Sequence, residues 1–130
     1  MLYLDSSAIV KLVAPEPETS ALVESLRANP EVVSSALSRV EVLRAVRRIG
    51  ASDDREGRAN DVIDRIALIP IEDAILIRAA RLEPTSLRTL DAIHLATALS
   101  LASDIAALVT YEAKLAAAAA SDGLDVLAPS

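Results

Sequence analysis

A chain of 130 residues falls at the commonest domain size, so a single domain spanning 1–130 around one core is expected. With 13 Lys and Arg against 19 Asp and Glu, the net charge is -6, which excludes a protein that grips nucleic acid by bulk positive charge and confines any such contact to local patches. There is no cysteine, and the aromatic residues are two Tyr with neither Phe nor Trp, which removes disulfides, thiolate metal sites, thiol nucleophiles and a platform for stacking bases. The hydrophobic fraction is 52%, yet no apolar run approaches the roughly 18 residues of a membrane span. The N-terminus also lacks the basic start and long apolar stretch of an export signal, so a cytoplasmic protein without membrane contact is expected. So apolar a composition in a small acidic chain leaves hydrophobic surface for a partner, and an oligomer is expected.

Met1 to Leu4 is a short apolar run ending at Asp5 and predicts a strand. Ser6 or Ser7 is placed to cap a helix through Val13, which Pro15 and Pro17 interrupt. Pro17 suits the first turn of a second helix carrying Ala21, Leu22, Val23 and Leu26, stopped by Asn29 and Pro30. Val32 and Val33 begin a strand that Ser34 and Ser35 are expected to end. From Ala36 the positions Leu37, Val40, Leu43 and Val46 recur at helical spacing until Gly50, with Arg39, Glu41, Arg44, Arg47 and Arg48 on the polar side. The polar run Ser52 to Asn60 reads as a loop or as the exposed start of a helix continuing through Val62, Ile63 and Ile66.

Ala67 to Ile71 predicts a strand with Pro70 near its end, and Glu72 to Leu82 a helix closed by Pro84. Thr89 or Ser86 is placed to cap a helix bearing Leu90, Ile93, Leu95, Ala96, Leu99 and Leu101. A strand from Ile105 to Val109, an Ala-rich helix from Glu112 to Ala120 and a terminal strand at Val126 and Leu127 complete the pattern. Short apolar strands alternating with helices predict a three-layer α/β/α sandwich with a central, mainly parallel sheet, since each parallel return needs a helical crossover.

In such sheets the residues just past the carboxyl ends of strands converge on one crevice. Asp5 follows the first strand, Glu41 lies in the helix after the second, Asp91 opens a later helix and Glu112 follows the strand ending at Val109 and Thr110. Four converging carboxylates are costly unless a cation neutralises them, and all-oxygen ligation suits Mg²⁺ or Mn²⁺. Such an ion supports in-line phosphoryl displacement without a protein nucleophile, which points to a metal-dependent nuclease. Each acid also has a plainer use: Asp5 as a strand end or a cap of the following helix, Glu41 as a solvated partner of Arg44, Asp91 and Glu112 as acids at helix N-termini. His94, the only histidine, reads as a buried, hydrogen-bonded structural residue outside the catalytic set.

Four segments in order, Leu2-Tyr3-Leu4-Asp5-Ser6-Ser7-Ala8-Ile9-Val10-Lys11-Leu12, Ser38-Arg39-Val40-Glu41-Val42, Leu87 to Ala98 with its Arg-Thr-Leu-Asp-Ala-Ile-His core, and Leu108-Val109-Thr110-Tyr111-Glu112-Ala113-Lys114-Leu115, resemble the PIN-domain toxins of VapC type. The resemblance spans the whole chain and implies a PIN-like fold and a Mg²⁺- or Mn²⁺-dependent endoribonuclease. It also implies the toxin half of a bacterial type II toxin–antitoxin pair, a homodimer that meets DNA only through its cognate antitoxin. By position, Asp5, Glu41 and Asp91 match the family's core acids. Glu112 stands where relatives are expected to carry Asp, one methylene shorter, so its direct ligation is open. Ser7, matching a small hydroxyl residue near the metal, and Thr110 are secondary candidates. Two alternatives remain at the level of sequence: a catalytically silent PIN-like domain that only binds partners, and a metal-dependent phosphohydrolase with Asp5 as nucleophile. Against the second, Ser7 stands where such phosphatases carry another Asp.

Overall fold

A computed structural model describes residues 1–50 and 52–130. Its elements in chain order are β1 (Leu2–Leu4), α1 (Ser6–Val13), α2 (Thr19–Ala28), β2 (Val32–Ser35), α3 (Ser38–Arg48), α4 (Asp53–Asp64), β3 (Ala67–Ile69), α5 (Asp73–Ala80), α6 (Thr89–Ser100), β4 (Ala107–Val109), α7 (Ala113–Ser121) and β5 (Val126–Leu127). All strand pairings are parallel, in the order β3-β2-β1-β4-β5. The three-layer α/β/α architecture expected from the alternating pattern is the one observed. No helix among the described residues is long and apolar enough to cross a membrane.

Alternation along the short strands builds the layers, because successive side chains leave opposite faces of a sheet. Leu2, Leu4, Ala107 and Val109 face one side, where they pack with Ala8, Ile9 and Val13 of α1, Leu22 of α2, Val42 and Val46 of α3 and Ile63 of α4. Tyr3, Val33 and Leu108 face the other, against Leu95 and Ala98 of α6 and Leu115 and Ala119 of α7. Each fully buried Leu or Val contributes roughly 1.5–3 kcal/mol. The central α6 buries most of its length, including Asp91, His94 and Thr97.

The strand order makes β1 the place where the chain reverses its direction of growth: β2 and β3 extend on one side, β4 and β5 on the other. At such a switch point a crevice opens beyond the carboxyl ends of the two central strands. The register pairs Leu4 with Val109, so the next residues, Asp5 and Thr110, emerge side by side.

Several local expectations differ from the structure. Asp5, not Ser6 or Ser7, caps α1, with its side chain accepting from the Ala8 N–H. Ser34 and Ser35 are the last two residues of β2, which ends at Ser35 as expected, and their hydroxyls have partners. Ser34 donates to the Leu4 carbonyl at 2.6 Å and bonds Ser38 Oγ at 2.7 Å, and Ser35 Oγ accepts from the Leu37 N–H. The polar run after residue 52 is helix α4, capped by Ser52, and it ends before Ile66. Neither Ser86 nor Thr89 caps α6: Arg88 holds that position in extended conformation without a capping side chain.

Candidate functional site

The buried serines of β2 tie the start of α3 to the end of β1, which brings Glu41, in the first turn of α3, to the carboxyl edge of the sheet. Asp91 lies in the first turn of α6 and Glu112 sits at the entry to α7. A cavity of about 790 Å³ opens here, lined among others by Ser7, Glu41, Arg44, Arg48, Arg88 and Glu112. Asp5 and Asp91 are more deeply placed, at 1% and 6% exposure, and reach the cavity wall through their bonds to Ser7 and Arg88.

Asp5 is the most constrained of the four acids. Its Oδ1 accepts from Ser7 Oγ at 2.7 Å and from the Ala8 N–H at 3.1 Å, and its Oδ2 accepts from Thr110 Oγ1 at 2.6 Å. Both hydroxyls are themselves held by the loop after β4: Ser7 Oγ accepts from the Tyr111 N–H and Thr110 Oγ1 from the Glu112 N–H. Burial pushes the Asp5 carboxyl above its ordinary 3.8, against the lowering pull of the Ser7 and Thr110 hydroxyls and the Ala8 amide.

Arg88 bridges two other acids, with Nε 3.2 Å from Asp91 Oδ2 and Nη2 3.7 Å from Glu112 Oε2. The Arg88 side chain is 69% exposed while that of Asp91 is 9% exposed, so the guanidinium reaches inward from the surface. Glu41 is not paired with Arg44, the plainer use open to it in the sequence. Its Oε1 lies 2.6 Å from His94 Nε2, and His94 Nδ1 lies 2.8 Å from the Tyr3 hydroxyl.

The four predicted acids and both predicted hydroxyls therefore stand about one end of the sheet. Among the described residues, however, no three His, Asp or Glu side chains form a group that could close around an ion. The donor chemistry fits a hard divalent cation, being carboxylate and hydroxyl oxygen throughout. The arrangement stops short of a closed cage, with Asp91 and Glu112 held by Arg88 and Glu41 by His94. Arg88 and His94 are the site residues that sequence reasoning left out. Their signal was spacing: each is three residues from Asp91, within one helical turn on either side.

The PIN domain family matches residues 2–121. Ribonuclease VapC46 of Mycobacterium tuberculosis is 46% identical over 129 residues, covering 99% of this chain and 98% of that protein. Among solved structures, VapC20 of M. tuberculosis, described as a toxin that cleaves the sarcin-ricin loop, superposes with a TM-score of 0.75 at 14% identity. That match covers 99% of this chain and 100% of the other. VapBC2 of Rickettsia felis, bound to a DNA fragment from its promoter, superposes with a TM-score of 0.76 at 14% identity over 98% of both chains. With a PIN-domain match over residues 2–121, 46% identity to a VapC protein over 99% of the chain, and an acid-rimmed switch point on a parallel sheet, the chain belongs to the PIN-domain family, on its VapC branch.

Proposed function

We propose that the chain is an endoribonuclease toxin of a toxin–antitoxin pair, which hydrolyses RNA phosphodiesters with Mg²⁺ or Mn²⁺ held by Asp5, Glu41, Asp91 and Glu112. The observation that carries this reading is the gathering of four carboxylates, from the turn after β1, from α3, from α6 and from the loop after β4, about one cavity at the switch point. The 46% identity to a protein named a ribonuclease supports the reaction class.

Asp5 and Asp91, the two most buried acids, are the innermost ligands, and Glu41 and Glu112 close the site from the cavity wall. Ser7 and Thr110 hold the Asp5 carboxylate in one orientation, so that it presents a fixed charge before any cation arrives. Bound there, a divalent cation supplies Lewis acidity toward water and the phosphoryl oxygen. Hydrolysis forms one phosphorus–oxygen bond from water and breaks another. A proton leaves the attacking water to a carboxylate, and one returns to the departing ribose oxygen. Arg44 and Arg48 lie on the cavity wall one helical turn apart and suit successive backbone phosphates.

The cognate antitoxin fits the same cavity. Val40 and Leu90 are exposed at 57% and 46% and line it beside Glu41 and Glu112, so an amphipathic segment with one basic side chain would find both anchors and counter-charge. VapBC2, solved with DNA, supports an antitoxin through which DNA is met. Leu76 and Ile77 of α5, exposed at 44% and 63%, offer apolar surface for a homodimer. The cytoplasm, where RNA is met, is the place of action, and the unit is one domain over 1–130.

The test is cleavage of a pool of structured RNAs by the antitoxin-free protein in Mg²⁺ or Mn²⁺, with EDTA and Asp91→Asn as controls. Cutting that needs the cation and is lost in the variant is expected. Cutting that persists in both controls overturns the metal site. A wild-type chain that neither cuts nor binds Mn²⁺ favours the catalytically silent domain.

A further inference from the structure

We propose that His94 is a positioning residue that aims the Glu41 carboxylate into the cavity, with Tyr3 fixing the imidazole from the opposite side. The inference rests on the preceding one, in which Glu41 is a cation ligand, and goes further in assigning a task to two residues that reach neither substrate nor ion.

The geometry sets one ring nitrogen against each neighbour. A carboxylate has only acceptors, so at 2.6 Å from Glu41 Oε1 the Nε2 atom of His94 must carry its hydrogen. With the Tyr3 hydroxyl donating to Nδ1 at 2.8 Å, a neutral imidazole then meets both neighbours without bringing a charge into the core. The ring is 1% exposed and Tyr3 is fully buried. The two rings pack edge to face, 5.9 Å between centroids and 80° between planes. Both ring nitrogens are engaged by protein atoms, which removes His94 from the pool of cation ligands.

Glu41 needs such an anchor more than the other acids do. It carries three side-chain torsions, and His94 is the one hydrogen-bond or ion-pair partner of its side chain among the described residues. Asp5 is held by three donors and Asp91 sits on a buried helix face. Tyr3 precedes Asp5 by two residues on β1, and His94 follows Asp91 by one turn on α6. The relay Tyr3–His94–Glu41 therefore registers the acid of α3 against the two elements that carry the inner acids. A partner that orients a ligand in this way changes metal affinity by about 10–100-fold when removed.

Two substitutions separate aiming from space-filling. The Gln amide nitrogen reaches the place of imidazole Nε2, whereas the Asn amide nitrogen reaches only that of Nδ1. Mn²⁺ affinity, measured by calorimetry on the full chain without RNA, is expected to fall about tenfold or more in His94→Asn. It should stay near the wild-type value in His94→Gln, and Glu41→Gln should abolish the difference between the two. Should His94→Asn fail to fold, ¹⁵N spectra of the wild-type ring provide the second measurement: an Nε2–H tautomer, protected from exchange, that loses its protection in Glu41→Gln. Equal Mn²⁺ affinity in wild type, His94→Asn and His94→Gln, or an Nδ1–H tautomer, overturns this inference alone. A wild-type chain without Mn²⁺ affinity overturns the cation site and this inference together.

Discussion

Thr110 Oγ1 donates a 2.6 Å hydrogen bond to Asp5 Oδ2, joining the ends of β1 and β4 across 105 positions of sequence. The bond exists because parallel register sets Leu4 against Val109, and it holds an almost wholly buried carboxylate whose burial raises it above 3.8. A folded state that binds this proton more tightly than the unfolded chain incurs no penalty below pH 3.8, where both are protonated. A cost appears as pH rises through the folded value and persists at neutral pH. Asp5→Asn, nearly the same shape, is therefore expected to raise the metal-free melting temperature at pH 7. The gain should vanish near pH 3, and Mn²⁺ should no longer stabilise the variant. A melting temperature lowered at pH 7 would contradict the assignment. Thr110→Val, which strips a donor from the same carboxylate, is expected to cost about 1–3 kcal/mol in urea unfolding.

Arg88 supplies a positive charge where the proposed site calls for a cation. Its guanidinium contacts Asp91 and Glu112 from a largely exposed position, but the Asp91 carboxylate it holds is buried, so removing this partner leaves a buried charge without its counter-charge. Arg88→Gln is accordingly expected to cost about 1–3 kcal/mol in metal-free urea unfolding while tightening Mn²⁺ binding several-fold, because a cation at the proposed site would no longer compete with a guanidinium for Asp91 and Glu112. Melting temperature followed against Mn²⁺ concentration reads both quantities. Weaker Mn²⁺ binding in the variant would show that Arg88 assists the site rather than occupying it.

Lys11 is buried between the turn after α1 and the loop after β4. Its Nζ lies 2.6 Å from Glu16 and 3.2 Å from Glu18, and 4.6 Å from the Tyr111 ring centre. Burial alone would lower its titration point, but the two glutamates more than offset this and raise it above 10.5. A raised lysine adds stability that is fully present below 10.5 and is lost as pH climbs through the folded value. Lys11→Met should thus lower the melting temperature at pH 7 and flatten its decline between pH 10 and 12. A decline as steep as that of wild type would locate the alkaline sensitivity elsewhere.

The fold was readable because its instructions are local. Leu2-Tyr3-Leu4 is apolar at every position, as a central strand covered on both sides requires, and the helix expected from the spacing of Leu37 to Val46 is present as α3, although it buries Val42 and Val46 and leaves Val40 exposed. Asp5, Glu41, Asp91 and Glu112 were legible as acids at strand and helix ends, and the structure sets them about one cavity. What escaped the sequence depends on contacts between distant residues. Ser7 reads as a helix cap, yet its hydroxyl instead connects Tyr111 to Asp5, 104 and 2 positions away. Ser34 belongs to the end of a strand as it reads, yet its bond to the Leu4 carbonyl is set by the fold. His94 reads as a core residue, which it is, but its partner Glu41 lies 53 positions off, beyond the reach of any local pattern.

The arginines of α3 divide into two pairs by what they face. Arg39 lies 3.5 Å from Asp64 and Arg47 lies 3.4 Å from Glu56, both on α4, so their charge is balanced within the fold. Arg44 and Arg48, exposed on the cavity wall, make no ion pair among the described residues. On a chain of net charge -6, only unbalanced cations set close to the acids can draw a polyanion toward them. In an Asp91→Asn background, expected to leave RNA uncut, Arg44→Ala and Arg48→Ala are each expected to weaken RNA binding several-fold. Each should also reduce the slope of log affinity against log salt by roughly 0.7, the value for one phosphate contact on a single strand. Arg39→Ala and Arg47→Ala should change neither quantity. If all four substitutions weakened binding alike, the helix would be acting through its total charge, and the cavity wall would not be the path along which RNA reaches the acids.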